Sequence, residues 1–282
     1  MVTHFGGRDV IVVRHILPGA IMRHLRFAAL LATLSLAACL EPDPVPESNY
    51  GVIGLSTVPS TTDTILSPEA VFYRTGLLQL PTSIVAVDEC GTAAFPATGG
   101  EGPLPRFLGA GDSVAITTDT DMTHLFPTVE ANREVYVLSP GDRFAFHPGE
   151  RLTITVPGEP GGFANGTISI LTAPPFALGE IDTSPLPGET LDITWSPAGD
   201  DSTKMLISLQ YAVGGSQANE QIFCELVDDG AASIQSTLAA RWAAATTGTR
   251  NVEAARWRVA IREVQDGVLV AVSAFEVDHP ID

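Results

Sequence analysis

The sequence predicts an all-β protein of two antiparallel sandwich domains with one short helix in the second, and three observations carry that expectation. From about Tyr50 onward, short apolar runs of strand length alternate with Gly, Pro, Asp and Thr. Regular turn signals between such runs point to an antiparallel sandwich or barrel. Two segments, Arg151-Leu152-Thr153-Ile154-Thr155-Val156 and Leu191-Asp192-Ile193-Thr194-Trp195, swap apolar and polar residues at period two, so that one face packs inward and the other meets water. Only one stretch beyond Tyr50, the alanine-rich 233–245 with Leu238 and Trp242, has the composition of a helix.

The chain opens on an address rather than a domain. Met22-Arg23-His24-Leu25-Arg26 supplies a positive end, and Phe27 to Ala38 adds about 12 mostly apolar residues, the length of a signal core and too short to span a bilayer. The small pair Ala37-Ala38 offers the narrow side chains a signal peptidase needs. Met1 to Ile21 places Asp9 and a second apolar patch, Val10 to Leu17, ahead of the signal, so Met22 is the expected start and 1–38 the signal region. Leu36-Ala37-Ala38-Cys39 resembles the lipobox of bacterial lipoproteins. The resemblance implies a diacylglycerol on the Cys39 sulfur, cleavage before Cys39 and an acyl chain such as palmitate on the freed amino group. Leu40 stands where an Asp holds many lipoproteins at the inner membrane, so the resemblance implies a lipid anchor in the outer membrane.

Residues 39–50 form the expected tether. Glu41-Pro42-Asp43-Pro44-Val45-Pro46-Glu47 alternates proline with acids and has nothing to bury, which favours an extended, semi-rigid chain. The whole sequence carries a formal charge of −18; without residues 1–38 it keeps 11 basic and 32 acidic residues, a charge of −21. Acids of this number are scattered, a solvated anionic surface that repels nucleic acid and anionic headgroups. With Cys39 assigned to lipid, Cys90 and Cys224 remain. An even pair in an oxidising compartment invites a disulfide, and two separately buried thiols are the alternative.

An N-terminal domain is expected over 51–177. Its strand-sized runs are Val71-Phe72-Tyr73, Leu77 to Leu80, Ser83 to Val87, Ser113 to Ile116 and Val135 to Leu138, followed by Arg151 to Val156. Pro148-Gly149 precedes that last strand, and Pro187-Gly188 precedes Leu191 in the same form, Pro-Gly-Glu-x-Leu-x-Ile-Thr. Gly109 to Ile116 is a looser third copy, and shared turn chemistry accounts for such a repeat as well as duplication does.

A C-terminal domain is expected over 178–282. Lys204 to Tyr211 and Gln221 to Val227 read as strands, Asp228-Asp229-Gly230 as a sharp turn, and Arg256 to Val264 with Val268 to Val277 as a hairpin across Gln265-Asp266-Gly267. A strand ending in Trp195-Ser196-Pro197, a strand with Cys224, Asp228-Asp229-Gly230, a short helix and a terminal hairpin together resemble uncharacterised bacterial lipoproteins with immunoglobulin-like sandwiches. The resemblance covers roughly Ile181 to Val277 and implies immunoglobulin-like architecture for both domains. The paired cysteine of true immunoglobulin domains is missing from the Trp195–Cys224 arrangement.

No catalytic motif stands out. Asp119-Thr120-Asp121-Met122-Thr123-His124 is the densest group of oxygen donors, with Asp119 and Asp121 the candidate metal ligands, but the further acids, glycine and distal Glu of a calcium loop are missing. His124, His147 and His279 have no second His or Cys at metal spacing. Gly214 to Ala218 lacks the Gly-x-Ser-x-Gly elbow, and Gly99-Gly100-Glu101-Gly102 lacks the Lys of a phosphate loop. Trp195, Trp242 and Trp257 read as core residues. The expectation is a non-enzymatic envelope lipoprotein without cofactor, held to the membrane through Cys39, with an envelope protein or glycan as partner. A hydrolase with a loop-built site, or a calcium-stabilised adhesion-like module, is the alternative.

Overall fold

The computed structural model describes residues 2–5, 8–11, 47–59, 64–75, 88–95, 105–130, 133–245 and 249–281. The Leu36–Cys39 motif, the expected strands at Leu77–Leu80 and Ser83–Val87, and Gly99–Gly102 lie outside those residues. The protein is predominantly β, with one helix among the described residues, and no sheet closes on itself.

The chain begins with a separate hairpin of β1 (Val2–Phe5) and β2 (Arg8–Ile11). The body opens with β3 (Ser48–Pro59) and β4 (Thr64–Thr75), antiparallel along their whole length. There follow β5 (Glu89–Ala94), β6 (Arg106–Phe107), β7 (Val114–Thr117), β8 (Met122–Glu130), β9 (Arg133–Leu138), β10 (Phe144–Ala145), β11 (Arg151–Val156) and β12 (Gly166–Leu171). The last part contains β13 (Leu191–Thr194), β14 (Lys204–Tyr211), β15 (Glu220–Val227), β16 (Ala231–Ile234), α1 (Ser236–Ala243), β17 (Arg250–Val264) and β18 (Gly267–Ile281). One sheet runs β12-β11-β7-β8-β9-β4-β3-β18-β17-β14-β15-β5, with β6 and β10 also on β4, and β13 pairs β16 in a second.

Alternation in the sequence becomes alternation in burial. Leu152, Ile154 and Val156 of β11 point into one hydrophobic cluster with Ile53, Leu55, Phe72, Ile116, Tyr136 and Phe163. Leu191 and Ile193 of β13 point into a second, with Trp195, Ile207, Leu209, Cys224, Trp242 and Phe275. The turn before each of these two strands uses a glycine at positive φ, Gly149 at 70° and Gly188 at 93°, which an L side chain adopts only at a cost. The two copies of the Pro-Gly-Glu form thus share a turn glycine in the left-handed region.

The helix is shorter than its composition suggests. Ala231–Ile234 pairs with β13 instead, because Ile234 is fully buried in the second cluster when that segment is extended. Only Ser236–Ala243 is helical, burying Ala239 and Trp242.

The terminal hairpin is longer than expected, since Val252 and Ala254 are also core residues and extend β17 back to Arg250. Asp266, at φ 60°, closes the tight turn. Its 15-residue strands serve both clusters: Leu269 and Ala271 lie in the first, Phe275 in the second. β18 then lies parallel to β3, with Gly267 opposite Asn49 and Phe275 opposite Thr57, a departure from the antiparallel expectation. β5, from the middle of the chain, forms the far edge of the sheet against β15.

Candidate functional site

The most concentrated polar chemistry among the described residues is built around Arg256, a side chain 1 % exposed. Even-numbered residues of β17 here face the second cluster, as Ala254 does, so the register carries the guanidinium into the interior. Arg256 Nε donates to Asp228 Oδ2 at 2.6 Å and Nη2 to Asp228 Oδ1 at 2.9 Å. Nη1 donates to the carbonyls of Pro175 at 2.9 Å and Pro174 at 3.4 Å, and Nη2 also to that of Ser196. The Phe176 ring lies 5.2 Å from the guanidinium carbon.

Asp228 is supplied by the Asp228-Asp229-Gly230 turn. Gly230 takes φ 104°, as a turn requires, and its carbonyl accepts from Trp195 N at 2.9 Å. Trp195 Nε1 donates to Asp228 Oδ1 at 2.8 Å. A guanidinium has five N–H donors, and all five are engaged by these partners. The group is therefore a latch that ties Pro174–Pro175, Ser196 and the Asp228 turn to β17; no donor of Arg256 is left for a ligand.

Beside it Arg258 Nη2 meets Asp200 Oδ2 at 2.7 Å. Partial burial opposes ionisation of Asp200, but the Ser202 hydroxyl and N–H and the Arg258 charge outweigh it and hold this carboxyl below its ordinary value. On the opposite face of the same strands Glu276 is buried, which pushes its carboxyl up to about 8. Ser56 Oγ donates to it at 3.0 Å and works against the shift, whereas Glu253 and Asp278 add to it. Burial also raises Glu225, opposed by Lys204.

Cys90 of β5 faces Cys224 of β15 across the ladder, and the two are joined in a disulfide, bridging 134 residues of sequence. Asp119 and Asp121 are exposed in the turn between β7 and β8. Asp121 Oδ1 accepts from Met122 N at 2.8 Å, and the Thr118 hydroxyl takes Asp121 N at 2.9 Å, so local backbone groups occupy this turn. Among the described residues no three His, Cys, Asp or Glu side chains gather as a metal site. The candidate histidines are dispersed: His124 lies on β8, 3.2 Å from Ser113 Oγ, and His147 and His279 are exposed elsewhere. Trp195 and Trp242 are core residues of the second cluster; Trp257 packs on the reverse face with Leu206, Ala255 and Ala274.

No protein-family model matches the chain, and no curated protein matches it. No helix among the described residues is long and apolar enough to cross a membrane. The Arg256–Asp228 latch escaped sequence reasoning because each half looks ordinary there: Asp228 belongs to a turn, and Arg256 stands in a strand rich in arginine. The usable signal was an arginine at a core-facing parity of an alternating strand.

Proposed function

We propose that the protein is a bacterial envelope lipoprotein, lipidated on Cys39 and anchored in the outer membrane, whose two immunoglobulin-like sandwich domains have a binding or structural role toward an envelope protein or glycan. The observation that carries this reading is the Leu36-Ala37-Ala38-Cys39 motif behind a positive end and a short apolar core. Cysteine bookkeeping supports it. Of three cysteines in the chain, Cys90 and Cys224 occupy each other, and such a bond suits an oxidising compartment outside the cytoplasm. Cys39 is the thiol that remains for lipid. The first body strand starts at Ser48, so a proline-rich tether follows the anchor directly. Two separate hydrophobic clusters support the two-sandwich reading, with β17 and β18 shared between them.

Dual acylation holds a protein on a bilayer where one chain does not. Replacing Cys39 by Ser should move the protein from the membrane fraction to the soluble one, and mass spectrometry of the wild-type N-terminus should find a diacylglyceryl cysteine. Retention of the C39S protein in membranes would refute the anchor.

A further inference from the structure

The three cysteines stand in the sequence in an order that works against the bond the fold contains. Cys39 and Cys90 are 51 residues apart, whereas Cys90 and Cys224 are 134 apart. In a flexible chain the chance of closing a loop falls as about the three-halves power of its length, so before folding Cys39 captures Cys90 about fourfold more readily than Cys224 does. Order of appearance adds to this bias. A chain made from its N-terminal side presents Cys39 and Cys90 together while Cys224 is still to come.

The native pairing is also a late event in the fold. β15 sets Cys224 opposite Cys90, β14 holds β15, and β17 holds β14. All three strands begin at Lys204 or later, so nothing that positions Cys224 has been made when Cys90 first meets an oxidant. Nor does the finished fold correct an early error. Exchange would need the Cys224 thiolate to attack Cys90 Sγ and expel Cys39, and Cys224 is fully buried in the second cluster.

We propose that lipidation of Cys39 has to precede oxidation of the chain, and that the thioether thereby sets the disulfide pairing. The proposal rests on the anchored reading above. In the first reaction, diacylglyceryl transfer, the Cys39 sulfur bonds to a glyceryl carbon of a phospholipid. The phosphorylated headgroup leaves with the electron pair of the bond that breaks, and the thiol gives up its proton. A thioether has no S–H and takes no part in thiol–disulfide exchange, so Cys90 stays a thiol until Cys224 reaches it. In the second reaction Cys90 and Cys224 lose their protons and pass two electrons to the disulfide of a dithiol oxidant, which is reduced. The reverse order would leave Cys39 bonded to Cys90, unable to take lipid, and Cys224 without its partner.

The test expresses full-length precursors in a bacterium with an oxidising envelope: wild type, C224S, and L36D, which breaks the Leu-Ala-Ala-Cys motif and keeps Cys39. Thiols are trapped by acid quenching and alkylation, and the pairs are mapped by mass spectrometry. C224S should carry lipid on Cys39 and a free thiol on Cys90. L36D should show about four Cys39–Cys90 bonds for each Cys90–Cys224 bond, and adding C39S to L36D should restore the native pair. A Cys39–Cys90 bond in most of the C224S protein, or the native bond in most of the L36D protein, would overturn the proposal. Wild-type protein with no diacylglyceryl group on Cys39 would instead overturn the anchor itself, and this order of reactions with it.

Discussion

Arg256 and Asp228 form a buried ion pair, Nε to Oδ2 at 2.6 Å, with each side chain 1 % exposed. Its two halves come from β17 and from the turn after β15, and the same guanidinium collects three backbone carbonyls from the segments that lead into and out of β13. Removing one partner of such a pair strands a charge in the interior. D228A and R256A should each lower unfolding free energy by about 3–5 kcal/mol, measured by urea titration. R256K should rescue little, since an ammonium cannot reproduce the planar fork. Full rescue by lysine would show that charge alone matters.

The Cys90–Cys224 bond fastens an edge strand whose one ladder partner among the described residues is β15. Reduction, or the C90S/C224S pair, should cost roughly 2–5 kcal/mol and expose the amides of β5 and of Gln221 and Phe223, which face β5, to hydrogen exchange before the rest of the sheet. Unchanged protection after reduction would mean that the ladder holds β5 by itself.

Glu276 makes stability depend on pH in a defined direction. Its ordinary carboxyl value is 4.5, and in the folded protein it is about 8. Between those values the native state holds a proton that the unfolded chain has released, so stability falls as pH rises, by at most about 1.4 kcal/mol per pH unit. The buried, raised carboxyl of Glu225 acts in the same sense. Urea midpoints should therefore drop from about pH 5 to about pH 8, and E276Q should flatten the slope. A wild-type midpoint rising over that window would contradict the assignment.

Two glycines at positive φ separate backbone strain from crowding. At Gly149, φ 70°, a Cβ meets nothing within 4 Å; at Gly230, φ 104°, it meets the Trp195 carbonyl at 3.2 Å and Pro197 Cδ at 3.3 Å. G149A should cost about 1 kcal/mol from conformation alone. G230A should cost more, because the Trp195 backbone it crowds also anchors the indole that binds Asp228. Differential scanning calorimetry of the two variants ranks them directly.

Local rules carried much of this fold. Arg151–Val156 and Leu191–Thr194 show in their burial the alternation that their residue types announce, and Gln265-Asp266 closes the hairpin that Asp-Gly chemistry favours. What stayed hidden was non-local. Spacing says nothing of whether Cys90 reaches Cys224, of Arg256 reaching back to a turn, or of β18 lying beside β3. Ser233 and Ile234 have neighbours that favour a helix, and only the pairing with β13 keeps them extended. Such outcomes depend on contacts between segments far apart along the chain, which no window of sequence contains.

The parallel contact between β3 and β18 has a temporal meaning. Ser56 and Glu276, bonded across the two strands' neighbourhood, are 220 residues apart, so the middle of the large sheet is assembled from the earliest and latest strands of the body. Loop closure of that span comes before the contacts that reward it, which makes folding slow. As the chain is made from its N-terminal side, β3 keeps an unpaired edge beside β4 until β18 has been added.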